Sequence, residues 1–135
     1  MRYWDSSVLV PLVSDEPTTD LLTLLAAADP AIVVSFITPL EVTNAMWRKA
    51  GSNNDLRNAS ARRYAALERD WVIVAVSVAA LEAALQVSRR HMLRTGDAIQ
   101  LACALIAAPE RQLPFVTLDR DLKSAAQSEG FPTLP

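Results

Sequence analysis

The sequence predicts an α/β fold: a three-layer α/β/α sandwich around a short, mainly parallel sheet of four to five strands. Three observations carry this expectation. Short, continuously apolar runs such as Ile32-Val33-Val34 recur along the chain, as strands do when both faces of their sheet are covered. Helical segments separate these runs, and strands joined through helices pair in parallel. Hydrophobic residues reach 51% while aromatic ones are only 6%, so Ala, Leu and Val must build the core. That composition favours helices packed closely on a small sheet.

Each element has its own local reason. Arg2 to Trp4 is short and β-compatible, and residues 6–13 and 18–28 read as helices stopped by Asp29-Pro30. Ile32 to Val34 is a buried strand candidate. Thr38-Pro39-Leu40-Glu41 is a helix start with Pro in the first turn, and Gly51-Ser52-Asn53-Asn54 ends that helix. Residues 55–70 form a second helix, rich in Ala and Arg, before a strand over 71–76. Ser77 caps a helix to about Arg94, Thr95-Gly96 is a break, and Asp97 opens a nearly all-apolar helix to Ala108. A strand over 114–117, a helix over 119–129 closed by Gly130, and a last edge strand over 131–134 complete the order.

Composition bounds the chemistry. The 135 residues fit one domain spanning 1–135, and the mean hydropathy of +0.17 is on the apolar side. With 3 Gly there is no glycine-rich phosphate loop. Cys103 is the only cysteine, which excludes internal disulfides and cysteine zinc clusters. The opening MRYWDSSVLVPLVSDE lacks the pattern of a signal peptide, and no apolar run approaches the ~20 residues of a membrane span. A cytoplasmic protein with no membrane partner is expected. The net charge of −2 is unevenly spread. From Arg48 to Arg94 there are nine basic and four acidic residues; the remainder has four basic and eleven acidic. A basic middle beside acidic flanks suits an enzyme that holds a polyanion against bound cations. Arginines on the wet faces of helices would give the same count.

Functional sites in parallel sheets lie beyond the carboxyl ends of strands. Asp5 ends the first strand, Glu41 lies in the helix start after the second, Asp97 opens the apolar helix, and Asp119 follows the strand over 114–117. Asp121 sits two residues further on. Glu41 could serve a capping box with Thr38, and Asp97 and Asp119 could be helix N-caps. Asp5 resists such an account, because an unpaired carboxylate between Trp4 and Ser6-Ser7-Val8-Leu9-Val10 would cost several kcal/mol to bury. Asp97 has the same difficulty on a helix with almost no wet face. A divalent cation with oxygen ligands would resolve both, and it could activate water and neutralise charge on a phosphate without any histidine. The single histidine, His91, sits in the basic stretch Arg89-Arg90-His91 and is expected at the surface.

These residues resemble the motifs of the PIN-domain ribonucleases, above all the VapC-type toxins of type II toxin–antitoxin pairs. Trp4-Asp5-Ser6-Ser7-Val8-Leu9-Val10 is similar to the family's first motif, and Thr38 to Ala45 to the helix bearing its second acid. Leu93-Arg94-Thr95-Gly96-Asp97-Ala98-Ile99-Gln100-Leu101-Ala102 is the most specific match, and Phe115 to Leu122 resembles the last motif. The resemblance covers essentially the whole chain. It implies a PIN-like fold and a Mg²⁺- or Mn²⁺-dependent endoribonuclease with one or two ions per site. Asp5, Glu41, Asp97 and Asp119 would carry the metal. Ser6 would orient Asp5 or a metal-bound water, Thr117 would support Asp119, and Asn44 and Asp121 would stand near. Position 100 is Gln where the family often has His, and it is not a metal-binding position. The resemblance also implies a cognate small antitoxin and a homodimer. Arg48, Arg57, Arg62 and Arg63 are the candidates for RNA phosphates. Apolar surplus on the helices over 17–28 and 77–88 would suit a dimer partner or an antitoxin helix.

Two rivals differ at named residues. A phosphatase of the haloacid dehalogenase type needs a second Asp two residues after the first, and Ser7 stands there. A non-catalytic RNA- or protein-binding module with the same fold predicts that some of the four acids are missing, and all four are present.

Overall fold

Helices and short strands alternate along the computed structural model, which describes residues 1–135. β1 (Arg2–Trp4) leads to α1 (Ser6–Val13) and α2 (Thr19–Ala28); β2 (Ile32–Ser35) leads to α3 (Thr38–Ala50) and α4 (Asn54–Glu68). β3 (Trp71–Val74) precedes α5 (Val78–His91) and α6 (Thr95–Ala107), and β4 (Phe115–Val116), α7 (Arg120–Ser128) and β5 (Thr133–Leu134) close the chain. The five strands form one sheet in the order β3-β2-β1-β4-β5, and every neighbouring pair is parallel. This is the α/β/α sandwich that the sequence predicts.

The period of two along each strand divides the core into two layers. Tyr3, Val33 and Phe115 pack with Val87, Leu101 and Leu122, on the side covered by α5, α6 and α7. Trp4, Ile32, Val34 and Val116 pack with Val8, Leu22, Val42 and Met46, on the side covered by α1, α2 and α3. Tyr3 stacks on Phe115 at 5.1 Å between ring centroids. α6 is enclosed by α5, α7, β2 and β3, which explains why it has almost no polar face. Cys103 is one of its buried residues.

Several boundaries differ from expectation, β4 and β5 being shorter than the strands expected over 114–117 and 131–134. The break before the apolar helix falls at residues 92–94, because Met92 takes a left-handed conformation (φ 53°) and ends α5 at His91. Gly96 therefore lies in the first turn of α6, and Arg94, not Asp97, is its N-cap. β3 stops at Val74, which pairs with Ser35, the last residue of its only neighbour.

Apolar side chains also reach the surface. Val76, Val78 and Leu81 are exposed and, with Phe36, Ala84 and Ile99, line a hollow of about 530 Å³. Leu21 and Leu24 are exposed on α2. No helix is long and apolar enough to cross a membrane.

The topology decides where a site can form. From β1 the chain moves outward through β2 and β3, then returns to the other side of β1 for β4. The order reverses beside β1, and a crevice opens there beyond the carboxyl ends of the strands.

Candidate active site

Asp5 and Asp119 follow the two adjacent strands that flank this crevice. Asp5 is only 4% exposed, yet it sits at the N-terminus of α1 and accepts from the backbone N–H of Ser7 at 3.2 Å. The hydroxyls of Ser7 and Thr117 (2.5 and 2.9 Å) donate to the same oxygen, Oδ2. Oδ1 takes no hydrogen bond from the protein. Burial pushes the Asp5 carboxyl up from 3.8 to about 6; the Ser7 and Thr117 bonds oppose the shift, and the charge of Glu41 adds to it. Thr117 also accepts from the N–H of Asp119 at 3.0 Å, so one buried hydroxyl joins two of the acids. Asp119 is the N-cap of α7, where Oδ1 accepts from the Leu122 N–H at 2.8 Å. It thus does the ordinary capping work and still leaves Oδ2 free.

Glu41 stands in the first turn of α3 but closes no capping box; Thr38 makes no cap bond. Its Oε2 accepts from the Ser6 hydroxyl and from Gln100 Nε2 at 2.7 Å. Its Oε1 lies 2.8 Å from where a Cβ on Gly96 would stand. Asp97 is half-buried in the first turn of α6. Its carboxyl is raised by burial first, then by the charges of Asp119 and Glu41, with Arg94 pulling the other way.

A cavity of about 310 Å³ is lined by Asp5, Ser6, Ser7, Val10, Glu41, Asn44, Ala45, Arg48, Asp97 and Asp119. The four acids, from positions far apart in the chain, thus line one cavity. A neighbouring hollow of about 350 Å³ shares Asp97 and Asp119 and adds His91, Met92, Arg94, Asp121 and Ser124.

Several predicted residues have different partners from those expected. Ser6 gives its hydroxyl to Glu41, and the bracing of Asp5 falls to Ser7 and Thr117. Asp121 lines the neighbouring hollow only. Arg48 reaches the main cavity, whereas Arg57, Arg62 and Arg63 do not line it. Arg57 donates to the Gly51 carbonyl at 2.5 Å and lies over Trp47, and Arg63 pairs with Asp15 at 2.8 Å. Arg62 is exposed on α4. His91 is less exposed than its basic neighbourhood suggests, since it bonds Glu129 at 2.7 Å. The sequence alone sets Gln100 aside as a non-ligand, reads Gly96 only as a helix break and gives Arg94 no role in the site. Gln100 carried a signal: one amide inside an otherwise apolar helix needs buried partners.

A hard cation fits this donor set. The uncommitted carboxylate atoms are all oxygen, and burial first, then the charges of neighbouring acids, raises Asp97 and Asp5. No three acidic, His or Cys side chains form a closed ligand cage. An ion held by one or two direct carboxylates and its own waters asks for no such cage.

The PIN-domain family model matches residues 2–127. The chain belongs to the PIN-domain family. No curated protein matches this PIN domain in sequence. Among solved structures it is similar to a chain described as a toxin–antitoxin complex from Klebsiella pneumoniae, at 23% identity and a TM-score of 0.70. That match covers 100% of this PIN domain and 97% of the other chain.

Proposed function

We propose that this PIN domain is a divalent-metal-dependent endoribonuclease, acting in the cytoplasm as the toxin of a toxin–antitoxin pair. The observation that carries the proposal is the single cavity into which Asp5, Glu41, Asp97 and Asp119 all open. A mere scaffold has no need of four carboxylates on one wall, where their repulsion costs stability.

Asp5, Glu41, Asp97 and Asp119 would hold one or two ions of Mg²⁺ or Mn²⁺, directly or through water. Such an ion supplies a more acidic water and neutralises charge on the phosphate. The chain's own residues supply the positioning. Ser7 and Thr117 hold one oxygen of Asp5, and Ser6 and Gln100 hold one oxygen of Glu41, so each acid keeps its other oxygen free. Arg48 on the cavity wall is an exposed cation for a neighbouring RNA phosphate, and Asn44 beside it is a neutral donor. Arg94 is the corresponding cation on the far side of Asp97 and Asp119.

A small inhibitory partner and a homodimer belong to the same proposal. The likeness to a chain from a toxin–antitoxin complex supports the first, and the exposed apolar side chains of α2 and α5 are consistent with either. The test is incubation of purified protein with RNA and Mn²⁺ or Mg²⁺. Cleavage that stops on chelation and is lost in Asp97→Asn is expected. A folded protein that cuts no RNA with either ion would return the chain to the non-catalytic module; cutting that survives chelation would refute the metal mechanism.

A further inference from the structure

The most constrained polar group near the cavity is an amide outside the four acids. Gln100 is fully buried on α6, one turn beyond Asp97. Its Nε2 lies 2.7 Å from Glu41 Oε2, 3.0 Å from Ser6 Oγ and 3.1 Å from Thr38 Oγ1. Its Oε1 accepts from the Tyr3 hydroxyl at 2.9 Å. An amide nitrogen has two hydrogens, so three acceptors share them, and Glu41 holds the shortest contact.

Tyr3 decides which way the amide faces. It is fully buried, and burial keeps its phenol protonated and therefore a donor. A flipped amide would turn its carbonyl oxygen against the Glu41 carboxylate, two acceptors at hydrogen-bond distance in a buried site. The orientation with Nε2 on Glu41 satisfies both ends.

The consequence falls on Glu41. Ser6 and Gln100 both donate to Oε2, and neither donates to Oε1. Gly96 leaves the space that Oε1 occupies, since a Cβ there would stand 2.8 Å away. A carboxylate so held has one oxygen committed to the protein and one uncommitted.

We propose that Gln100 is a positioning residue, which fixes the side chain of Glu41 so that Oε1 is kept as the ligand atom for a divalent cation. This rests on the metal-dependent reading above. Position 100 thus serves the ion without binding it. Groups that orient a metal ligand carry about 10–100-fold in metal affinity.

The test measures Mn²⁺ binding itself, by titration calorimetry or by the electron paramagnetic resonance of free Mn²⁺, on folded protein. Gln100→Met keeps the volume and removes the amide; Mn²⁺ affinity is expected to fall about 10–100-fold. Gln100→Asn keeps a polar group but falls one methylene short of Glu41, and the same loss is expected if the Met variant does not fold. Thr38→Val removes a different partner of the amide without touching Glu41. It is expected to lower the melting temperature and leave Mn²⁺ affinity at the wild-type value. If the folded Gln100 variants bind Mn²⁺ as wild type does, or if Thr38→Val loses as much affinity as they do, the positioning role is overturned. A wild-type protein that takes up no Mn²⁺ overturns the metal reading beneath it, which is a separate result.

Discussion

Replacing Gly96 by Ala sets two physical effects against each other. Ala is the better helix residue by up to ~1 kcal/mol, so stability alone predicts a neutral or stabilised protein. The new Cβ, however, would meet Glu41 Oε1 at 2.8 Å, and ordinary contact begins at 3.4 Å, so the carboxylate must retreat by 0.6 Å or more. A flexible side chain could yield at little cost. Glu41 is not free to do so, because Ser6 and Gln100 grip its other oxygen. Hydrogen bonds to a charged group contribute about 1.5–3 kcal/mol each, so weakening one of them corresponds to about 10- to 100-fold in binding. We expect Gly96→Ala to melt within a few degrees of wild type and to lose about that factor in kcat/KM for Mn²⁺-dependent RNA cleavage. Gly51→Ala is the control. A Cβ added there meets nothing within 4 Å, but the φ of +56° is strained for an L residue, so the variant should lose about 1–3 kcal/mol of stability and keep its specific activity. Wild-type kcat/KM in Gly96→Ala would show that the position of Glu41 does not matter to the chemistry.

With its carboxyl raised to about 6, Asp5 binds its proton more tightly folded than unfolded. Stability from this group is therefore full below its ordinary value near 3.8 and is lost as pH rises through about 6, on the order of 3 kcal/mol at neutral pH. Asp5→Asn should accordingly melt higher than metal-free wild type at pH 7 and cleave nothing; a lower melting temperature would contradict the desolvation account. Because the ion takes the ionised acid, Mn²⁺ affinity of wild type should weaken as pH falls below about 6, which calorimetry at several pH values reads directly. Arg48→Ala and Arg94→Ala should each reduce the salt dependence of RNA binding by about one unit of slope, whereas Arg63→Ala, whose partner is Asp15, should leave it unchanged. Filter binding across a salt series decides this. Leu101→Ala, in the fully buried face of α6, should cost about 2–5 kcal/mol in urea unfolding.

Whatever depends on near neighbours was legible in the chain alone. Apolar runs, caps and breakers act over a few residues, so they set the order of strands and helices and the positions of four acids at element ends. The errors are local too: Met92, with nothing in its side chain to advertise a left-handed turn, moved the start of α6 upstream and carried Gly96 into the helix. Which oxygen of Asp5 and of Glu41 is held and which is left free emerged only with tertiary packing. Those partners lie far apart in the chain: Thr117 comes to Asp5 across 112 residues, and Gln100 reaches Tyr3, Glu41 and Ser6 across 97, 59 and 94. Packing also separated the arginines, sending Arg63 to Asp15 and leaving Arg48 at the cavity. Charge and residue type are properties of the chain, but the direction of a hydrogen bond is set by whatever packing brings to face it.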